Sequence, residues 1–97
     1  MRHRYLVTYD VSDDGRLRRV FKKLKGFGEP LQYSVFQCDL SEVERLKLKE
    51  VLCAIINHAE DRVLIIDVGP ADGRAMVAFE CLGVQREAVT ERRAVVI

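Results

Sequence analysis

A strand pattern that leads directly into a helix pattern constrains this chain more than any other feature. Residues 5–11 (YLVTYDV) are mostly apolar and rich in β-branched and aromatic side chains, which is typical of a buried strand. The charged Asp10 marks the end of that strand. Ser12, Asp13 and Asp14 follow, and they supply a helix N-cap and two acidic residues for a first helical turn. The sequence therefore predicts a carboxylate at the carboxyl end of a strand, beside the start of a helix.

The helix predicted over residues 12–28 has an apolar stripe and a basic polar side. The stripe recurs at helical spacing and consists of Leu17, Val20, Phe21, Leu24 and Phe27. Arg16, Arg19 and Lys23 follow at i, i+3 and i+7, so they form one row along the helix. The remaining basic residues further round are Arg18, Lys22 and Lys25. Such a row predicts contact with a phosphate backbone.

The charge of the chain is unevenly distributed. The formal net charge is +1, but residues 1–28 contain eight Lys and Arg against three Asp, a charge of +5, which leaves −4 for residues 29–97. A concentrated basic region is what a polyanionic partner needs. A solvated helix face that only keeps the protein soluble explains the same pattern equally well.

Length and apolar content indicate where function can lie. A chain of 97 residues forms one core but no deep enclosed pocket, so we expect the site on a surface, in a shallow groove or between subunits. No segment approaches 18 uninterrupted apolar residues, which predicts a cytoplasmic protein without a membrane span. Cys38, Cys53 and Cys81 form no C-x-x-C pair and have apolar neighbours, so buried reduced thiols are expected.

The rest of the chain predicts an α+β fold. Residues 31–40 (LQYSVFQCDL) form either one bent strand or a hairpin. A capping box at Ser41 and Glu44 begins a second helix that reaches about Asn57. Strands are expected at residues 62–68, 75–81 and 94–97, and the last must pair with a sheet edge of its own or a partner subunit.

If residues 31–40 supply two strands, the order is that of a ferredoxin-like βαββαβ sandwich with helices on one face of an antiparallel sheet. The predicted division is a ferredoxin-like domain at residues 1–81 and a C-terminal extension with a dimerisation strand at residues 82–97. The face of the predicted sheet that the helices leave open also favours dimerisation.

Several motifs together resemble a known family. YDVSDDGRLRRVFKKLKGFG is followed by QYSVF and then by an acidic turn before a strand (EDRVLIIDV). In this order and at this length, the chain resembles the CRISPR-associated spacer-acquisition proteins of the Cas-two family. The resemblance implies a ferredoxin-like homodimer whose C-terminal strand crosses to the partner, and it implies partnership with the integrase Cas-one. It further implies metal-dependent endonuclease activity on single-stranded RNA or double-stranded DNA.

Site residues follow from the resemblance by position. Asp10 corresponds to the catalytic metal ligand, one from each subunit. Arg16 and Arg18 match arginines that open the first helix, while Ser34 and Phe36 match a serine and an aromatic residue of the second strand. The nucleic-acid-binding set is Arg16, Arg18, Arg19, Lys23 and Ser34. The supporting set is Tyr9, Asp13 and Phe36.

Elementary chemistry agrees with a shared metal site. Mg²⁺ is usually held by one or two carboxylates, waters and substrate phosphates. Asp10 alone therefore supplies few protein ligands for the ion. A two-fold axis near Asp10 would bring two carboxylates to one ion, either Mg²⁺ or Mn²⁺. Aspartate at a strand end also commonly caps the following turn, which is the structural alternative for Asp10. Asp67 is expected to be structural or part of a dimer edge, and no role as a catalytic base is assigned to His3 or His58.

Three functions are compatible with these features. The first is a Mg²⁺-dependent, sequence-nonspecific endonuclease of spacer acquisition. The second is a non-catalytic homodimeric adaptor that binds duplex DNA and bridges the Cas-one integrase, for which Asp10 is unnecessary. The third is a small-molecule-sensing regulatory domain, which would have little affinity for nucleic acid.

Overall fold

Two helices pack on one face of a four-stranded sheet. The computed structural model describes residues 1–73 and 79–84. Along the chain the elements are β1 (His3–Asp10), α1 (Asp14–Lys25), β2 (Glu29–Gln32), β3 (Val35–Leu40), α2 (Glu42–Ile55) and β4 (Arg62–Pro70). The strands lie in the order β2-β3-β1-β4, and every neighbouring pair is antiparallel. The predicted ferredoxin-like α+β fold is confirmed.

Residues 31–40 belong to a hairpin and not to one bent strand. Gln32 of β2 lies opposite Val35 of β3, so Tyr33 and Ser34 form the turn. Ser34 has a φ of 66°, in the left-handed region that few non-glycine residues adopt. The Tyr9 amide donates a hydrogen bond to the Ser34 carbonyl at 3.1 Å. The turn is therefore attached to the end of β1, whereas Phe36 lies in β3.

The core lies between the sheet and the helices. Alternation along β1 directs Tyr5, Val7 and Tyr9 to the helix side. The buried cluster consists of these three together with Val20, Leu24, Phe36, Cys38, Leu40, Leu48 and Leu52. On the opposite face, Leu64 and Ile66 of β4 are 47% and 42% exposed, so the elements within residues 1–73 cover one face of the sheet only.

Both helices begin with a side-chain cap. The predicted capping box is present, because the Ser41 hydroxyl accepts from the Glu44 amide and the Glu44 carboxylate accepts from the Ser41 amide. For α1 the N-cap is Asp13, which accepts from the Arg16 amide at 2.9 Å. The prediction that Ser12 is the N-cap of α1 is wrong, since the Ser12 amide donates a hydrogen bond to Asp61 at 3.0 Å. Phe21, expected in the buried stripe, is 40% exposed.

The prediction that the cysteine side chains are buried is correct for one residue in three. Cys38 is buried in β3, and burial raises the pKa of its thiol to about 12, so the group stays protonated near neutrality. Cys53 and Cys81 are exposed, and the prediction that they are buried is wrong. Cys53 of α2 lines an open groove together with Val63 and Ile65 of β4, so apolar neighbours surround it without burying it.

Several predictions concern residues other than 1–73 and 79–84. Residues 79–81 are described and form no strand, whereas residues 75–78, the rest of the strand predicted over 75–81, lie outside the described residues. The strand predicted over 94–97 lies outside them as well, so the proposed boundary at residue 82 stays a prediction. Among the helices of residues 1–73 and 79–84, none is long and apolar enough to cross a membrane.

Candidate nucleic-acid interface and metal site

Asp10 is an exposed carboxylate at the carboxyl end of β1. It is the last residue of the strand, and its cross-strand neighbour is Arg62 of β4. Because side chains alternate along a strand, Asp10 lies on the opposite face from the buried Tyr9. None of the ion pairs within residues 1–73 and 79–84 involves Asp10. The carboxylate is therefore available to a ligand.

The described residues of one chain do not form a complete metal site. No group of three or more His, Cys, Asp or Glu side chains in the described part of the chain is arranged to hold a metal ion. Exposed carboxylate oxygens such as those of Asp10 are ligands that Mg²⁺ accepts, with waters and phosphate oxygens completing its shell. The donor set fits the ion only if further oxygens come from substrate, solvent or a second subunit.

Asp61 joins the two loops that flank Asp10 and Arg62. Its side chain, in the connection from α2 to β4, is 0% exposed. One oxygen, Oδ1, accepts from the Ser12 amide at 3.0 Å and from Arg16 Nη2 at 3.1 Å. The other, Oδ2, accepts from Arg16 Nε at 2.7 Å and from the Asn57 amide at 2.8 Å. These bonds, led by those from Arg16, hold the pKa of Asp61 well below its usual range.

Arg16 is fixed within this network. Its side chain is 19% exposed, and besides Asp61 it contacts Glu60 at 3.3 Å and the Ser12 hydroxyl at 3.4 Å. The hydrogen bond to Asp61 is the main cause that raises the pKa of Arg16. The sequence placed Arg16 in a row of nucleic-acid contacts, and the structure places it in an intramolecular ion pair. Asp61 was not among the predicted site residues. It belongs to the acidic turn that opens the EDRVLIIDV motif before β4.

The remaining basic residues of α1 form an exposed surface. Arg18, Arg19 and Lys23 are exposed, and no ion pair in the described part of the chain neutralises them. Lys25 lies 5.7 Å from the centre of the Phe21 ring. We call Arg18, Arg19, Lys22 and Lys23 the basic surface of α1. Its charge is suited to phosphate groups, whatever the base sequence.

The three supporting residues have packing or capping positions. Phe36 is 0% exposed and Tyr9 is 7% exposed, and their ring centres are 6.2 Å apart. Burial raises the pKa of Tyr9. The Phe21 ring meets Phe36 edge-on at 5.4 Å, which joins α1 to β3. Asp13 caps α1, and Ser34 is held beside the end of β1 by its carbonyl.

Fold and surface together define a small ferredoxin-like protein with an exposed carboxylate at a strand end and a basic helix. The family described as CRISPR associated protein Cas2 matches residues 1–76. The chain therefore belongs to the Cas2 family, which is the Cas-two family that its motifs resemble.

Individual relatives agree with this family. A CRISPR-associated endoribonuclease Cas2 of Geobacter sulfurreducens is 50% identical over 72 residues, which cover 74% of this chain and 76% of that protein. The CRISPR-associated endoribonuclease Cas2 1 of Rhodospirillum rubrum is 42% identical over 95 residues, covering 98% of this chain and 91% of the relative.

Solved structures of similar proteins share the fold. A hypothetical protein from Thermus thermophilus superposes with a TM-score of 0.77 at 31% identity and covers 91% of this chain and 99% of its own. Streptococcus pyogenes Cas2, crystallised at pH 6.5, gives a TM-score of 0.69 at 33% identity and covers 82% of this chain and 99% of its own.

Proposed function

We propose that the protein is a Mg²⁺-dependent endonuclease that hydrolyses phosphodiester bonds of single-stranded RNA or double-stranded DNA during spacer acquisition. The observation that carries the proposal is the exposed carboxylate of Asp10 at the end of β1, with no ion-pair partner in the described part of the chain. Relatives that are 42–50% identical are named CRISPR-associated endoribonucleases, which supports this activity.

The catalytic unit in this proposal is a homodimer. Each chain contributes Asp10 as one oxygen ligand, which compensates for the incomplete donor set of a single chain. Two facing carboxylates repel each other, and a divalent cation, Mg²⁺ or Mn²⁺, relieves that repulsion. When bound, the ion supplies charge stabilisation at the attacked phosphate and polarisation of a water molecule.

Substrate binding is assigned to the basic surface of α1. Arg18, Arg19 and Lys23 are exposed and positively charged, so they can hold backbone phosphates close to the carboxyl end of β1. Ser34, beside the same strand end, offers a hydroxyl to the backbone. Because phosphate contacts carry no sequence information, the expected cleavage is nearly independent of sequence.

The proposal is tested by replacing Asp10 with asparagine, which keeps the size of the side chain and removes its charge. We expect Asp10→Asn to lower Mg²⁺-dependent cleavage of RNA or DNA by about 100-fold or more, because loss of groups that support a metal site costs about 10–100-fold and Asp10 is a direct ligand here. Affinity for nucleic acid should stay unchanged in the absence of metal. The measurement is a metal-titrated cleavage assay on both substrates.

A matched control is Glu50→Gln, since Glu50 is an exposed carboxylate on α2, on a different element from Asp10. This variant should cleave like the wild type. Equal cleavage by the wild type and Asp10→Asn would contradict the proposal and would identify the activity as a contaminating nuclease.

A second function is favoured by the exposure of the basic surface of α1, which needs no metal ion to bind DNA. Arg19 and Lys23 are available for duplex DNA whether or not a metal binds. In this alternative the homodimer is a non-catalytic adaptor that positions DNA and bridges the Cas-one integrase. It predicts that Asp10→Asn supports spacer integration, whereas neutralising Arg19 and Lys23 together abolishes it.

A further inference from the structure

We propose that Asp61 is a positioning residue for the reaction and that Arg16 acts through Asp61 instead of contacting nucleic acid. The inference rests on the proposed function, because the group that Asp61 positions is Asp10. It assigns a role to a carboxylate outside the predicted site, and it separates Arg16 from the other basic residues of α1.

The first argument is connectivity. Asp61 accepts the amide of Ser12, two positions after Asp10, at 3.0 Å. Asp61 also directly precedes Arg62, the cross-strand neighbour of Asp10. One buried carboxylate thus fixes both the loop that leaves β1 and the start of β4. The backbone that carries Asp10 is held on two sides.

The second argument is the chemistry of the Arg16 guanidinium. Nε and Nη2 both donate to Asp61, at 2.7 and 3.1 Å, in the two-pronged geometry that arginine forms with a carboxylate. Nη2 also reaches Glu60 at 3.3 Å. Arg16, Glu60 and Asp61 together carry a net charge of −1, so the cluster as a whole does not attract a phosphate.

The third argument is burial. The Asp61 side chain is 0% exposed and the Arg16 side chain is 19% exposed. Withdrawing Arg16 toward a substrate would leave a buried carboxylate without its cationic partner, which is strongly unfavourable. Arg19, three residues further along α1, is exposed and makes no ion pair within the described residues, so it provides the matched comparison.

Binding measured without Mg²⁺ separates the two roles. The dependence of affinity on salt concentration counts phosphate contacts, at about 0.7 per contact for single strands and about 0.9 for duplex DNA. We expect Arg19→Gln to lower this slope by about that amount, and Arg16→Gln and Asp61→Asn to leave it unchanged. A slope lowered equally by Arg16→Gln and Arg19→Gln would overturn the proposal.

Kinetics give the second readout. Arg16→Gln and Asp61→Asn should each lower kcat by about 10–100-fold with KM unchanged, as for residues that orient a site. The double variant should be no slower than either single variant, because both break the same pair. Independent, multiplicative losses or a raised KM would contradict a shared positioning role.

Arg16→Lys keeps the assay decisive if Asp61→Asn does not fold. Lysine retains the charge but cannot form the two-pronged contact. A phosphate contact would be restored by Lys in both slope and rate, whereas positioning predicts the wild-type slope with reduced kcat. If the wild type itself cleaves nothing, the proposed function fails, and the salt slopes of Arg16→Gln and Arg19→Gln still decide whether Arg16 contacts nucleic acid.

Discussion

Asp61 shows how one buried carboxylate can connect distant parts of a small protein. It accepts hydrogen bonds from the Ser12 and Asn57 amides and from the Arg16 guanidinium, and it is shielded from water. Each bond favours the ionised carboxylate over the acid. The stability of the fold should therefore depend on the protonation of this group.

The first prediction concerns acid. The pKa of Asp61 lies below its ordinary value of 3.8 in the folded protein, so its stabilisation is fully present above that value and is lost as the pH falls through the folded pKa. Arg16, which faces it, stays protonated throughout. We expect the melting temperature of Asp61→Asn to lie furthest below that of the wild type near pH 7, and the gap to narrow below about pH 4.

Thermal melts of both proteins between pH 7 and pH 3 measure this gap, and Glu50→Gln serves as the control with no gap expected at either end. A gap that is as wide at pH 3 as at pH 7 would show that Asp61 does not contribute through its charge.

Single residues were predictable from sequence only where local pattern determines them. The position of Asp10 at the end of β1 was predictable, because an apolar strand pattern ends at a charged residue. The Arg16–Asp61 pair was not, since the two residues lie 45 positions apart and their meeting depends on how α1 and the α2–β4 connection pack. Local spacing alone gave Arg16 the same role as Arg19.

The connection from α1 to β2 passes unusually close to β3. A Cβ atom added to Gly28 would lie 2.2 Å from the Gln37 carbonyl oxygen and 2.6 Å from the Cys38 Sγ. A Cβ atom does not approach a non-bonded atom this closely unless something shifts, and the Gln37 oxygen belongs to the backbone, which cannot easily move. The close approach of the Gly28 backbone to β3 determines how tightly the chain after α1 packs against the sheet.

The second prediction follows from that approach. Gly28→Ala should destabilise the fold by about 1–3 kcal/mol, as overpacking of a well-packed site does. Gly73→Ala is the control, because its added Cβ would be no closer than 3.8 Å to Pro70 Cβ and would make an ordinary contact. Urea unfolding measures both variants. Equal midpoints for Gly28→Ala and the wild type would refute the tight approach.

Most elements were predictable because their apolar periodicity is strong. β1, α1, α2 and β4 were located to within a few residues, and the capping box was identified from Ser41 and Glu44. The hairpin of β2 and β3 was left open because its alternation is out of phase near Val35. Its turn contains Ser34 at positive φ in place of glycine, so the usual turn signal is missing.

The face of the sheet opposite the two helices bears on how copies of the protein assemble. Leu64 and Ile66 are large apolar side chains left 47% and 42% exposed on the face opposite the helices. Adjacent exposed apolar residues on a sheet are typical of a protein–protein contact. This agrees with the proposed homodimer, because Asp10 lies on the same face of the sheet as Leu64 and Ile66.

The third prediction tests this contact. Ile66→Lys should weaken dimerisation by about 10-fold or more, because an unpaired charge would be buried at the interface. Val43→Lys, at a 72% exposed position on α2, should leave the dimer unchanged. Light scattering during size-exclusion chromatography reports the mass of each variant. A dimer in Ile66→Lys as tight as in the wild type would place the contact elsewhere.

The two sides of the described sheet differ in their capacity to accept another strand. β2 at one side has four residues and contains Pro30, which lacks a backbone donor, whereas β4 at the other has nine. Among the described strands, addition is therefore obstructed at the β2 margin, whereas β4 carries a proline only at its last residue, Pro70. If copies of the chain pair only through β4, growth along the hydrogen-bonding direction stops at two copies, and an endless ribbon cannot form.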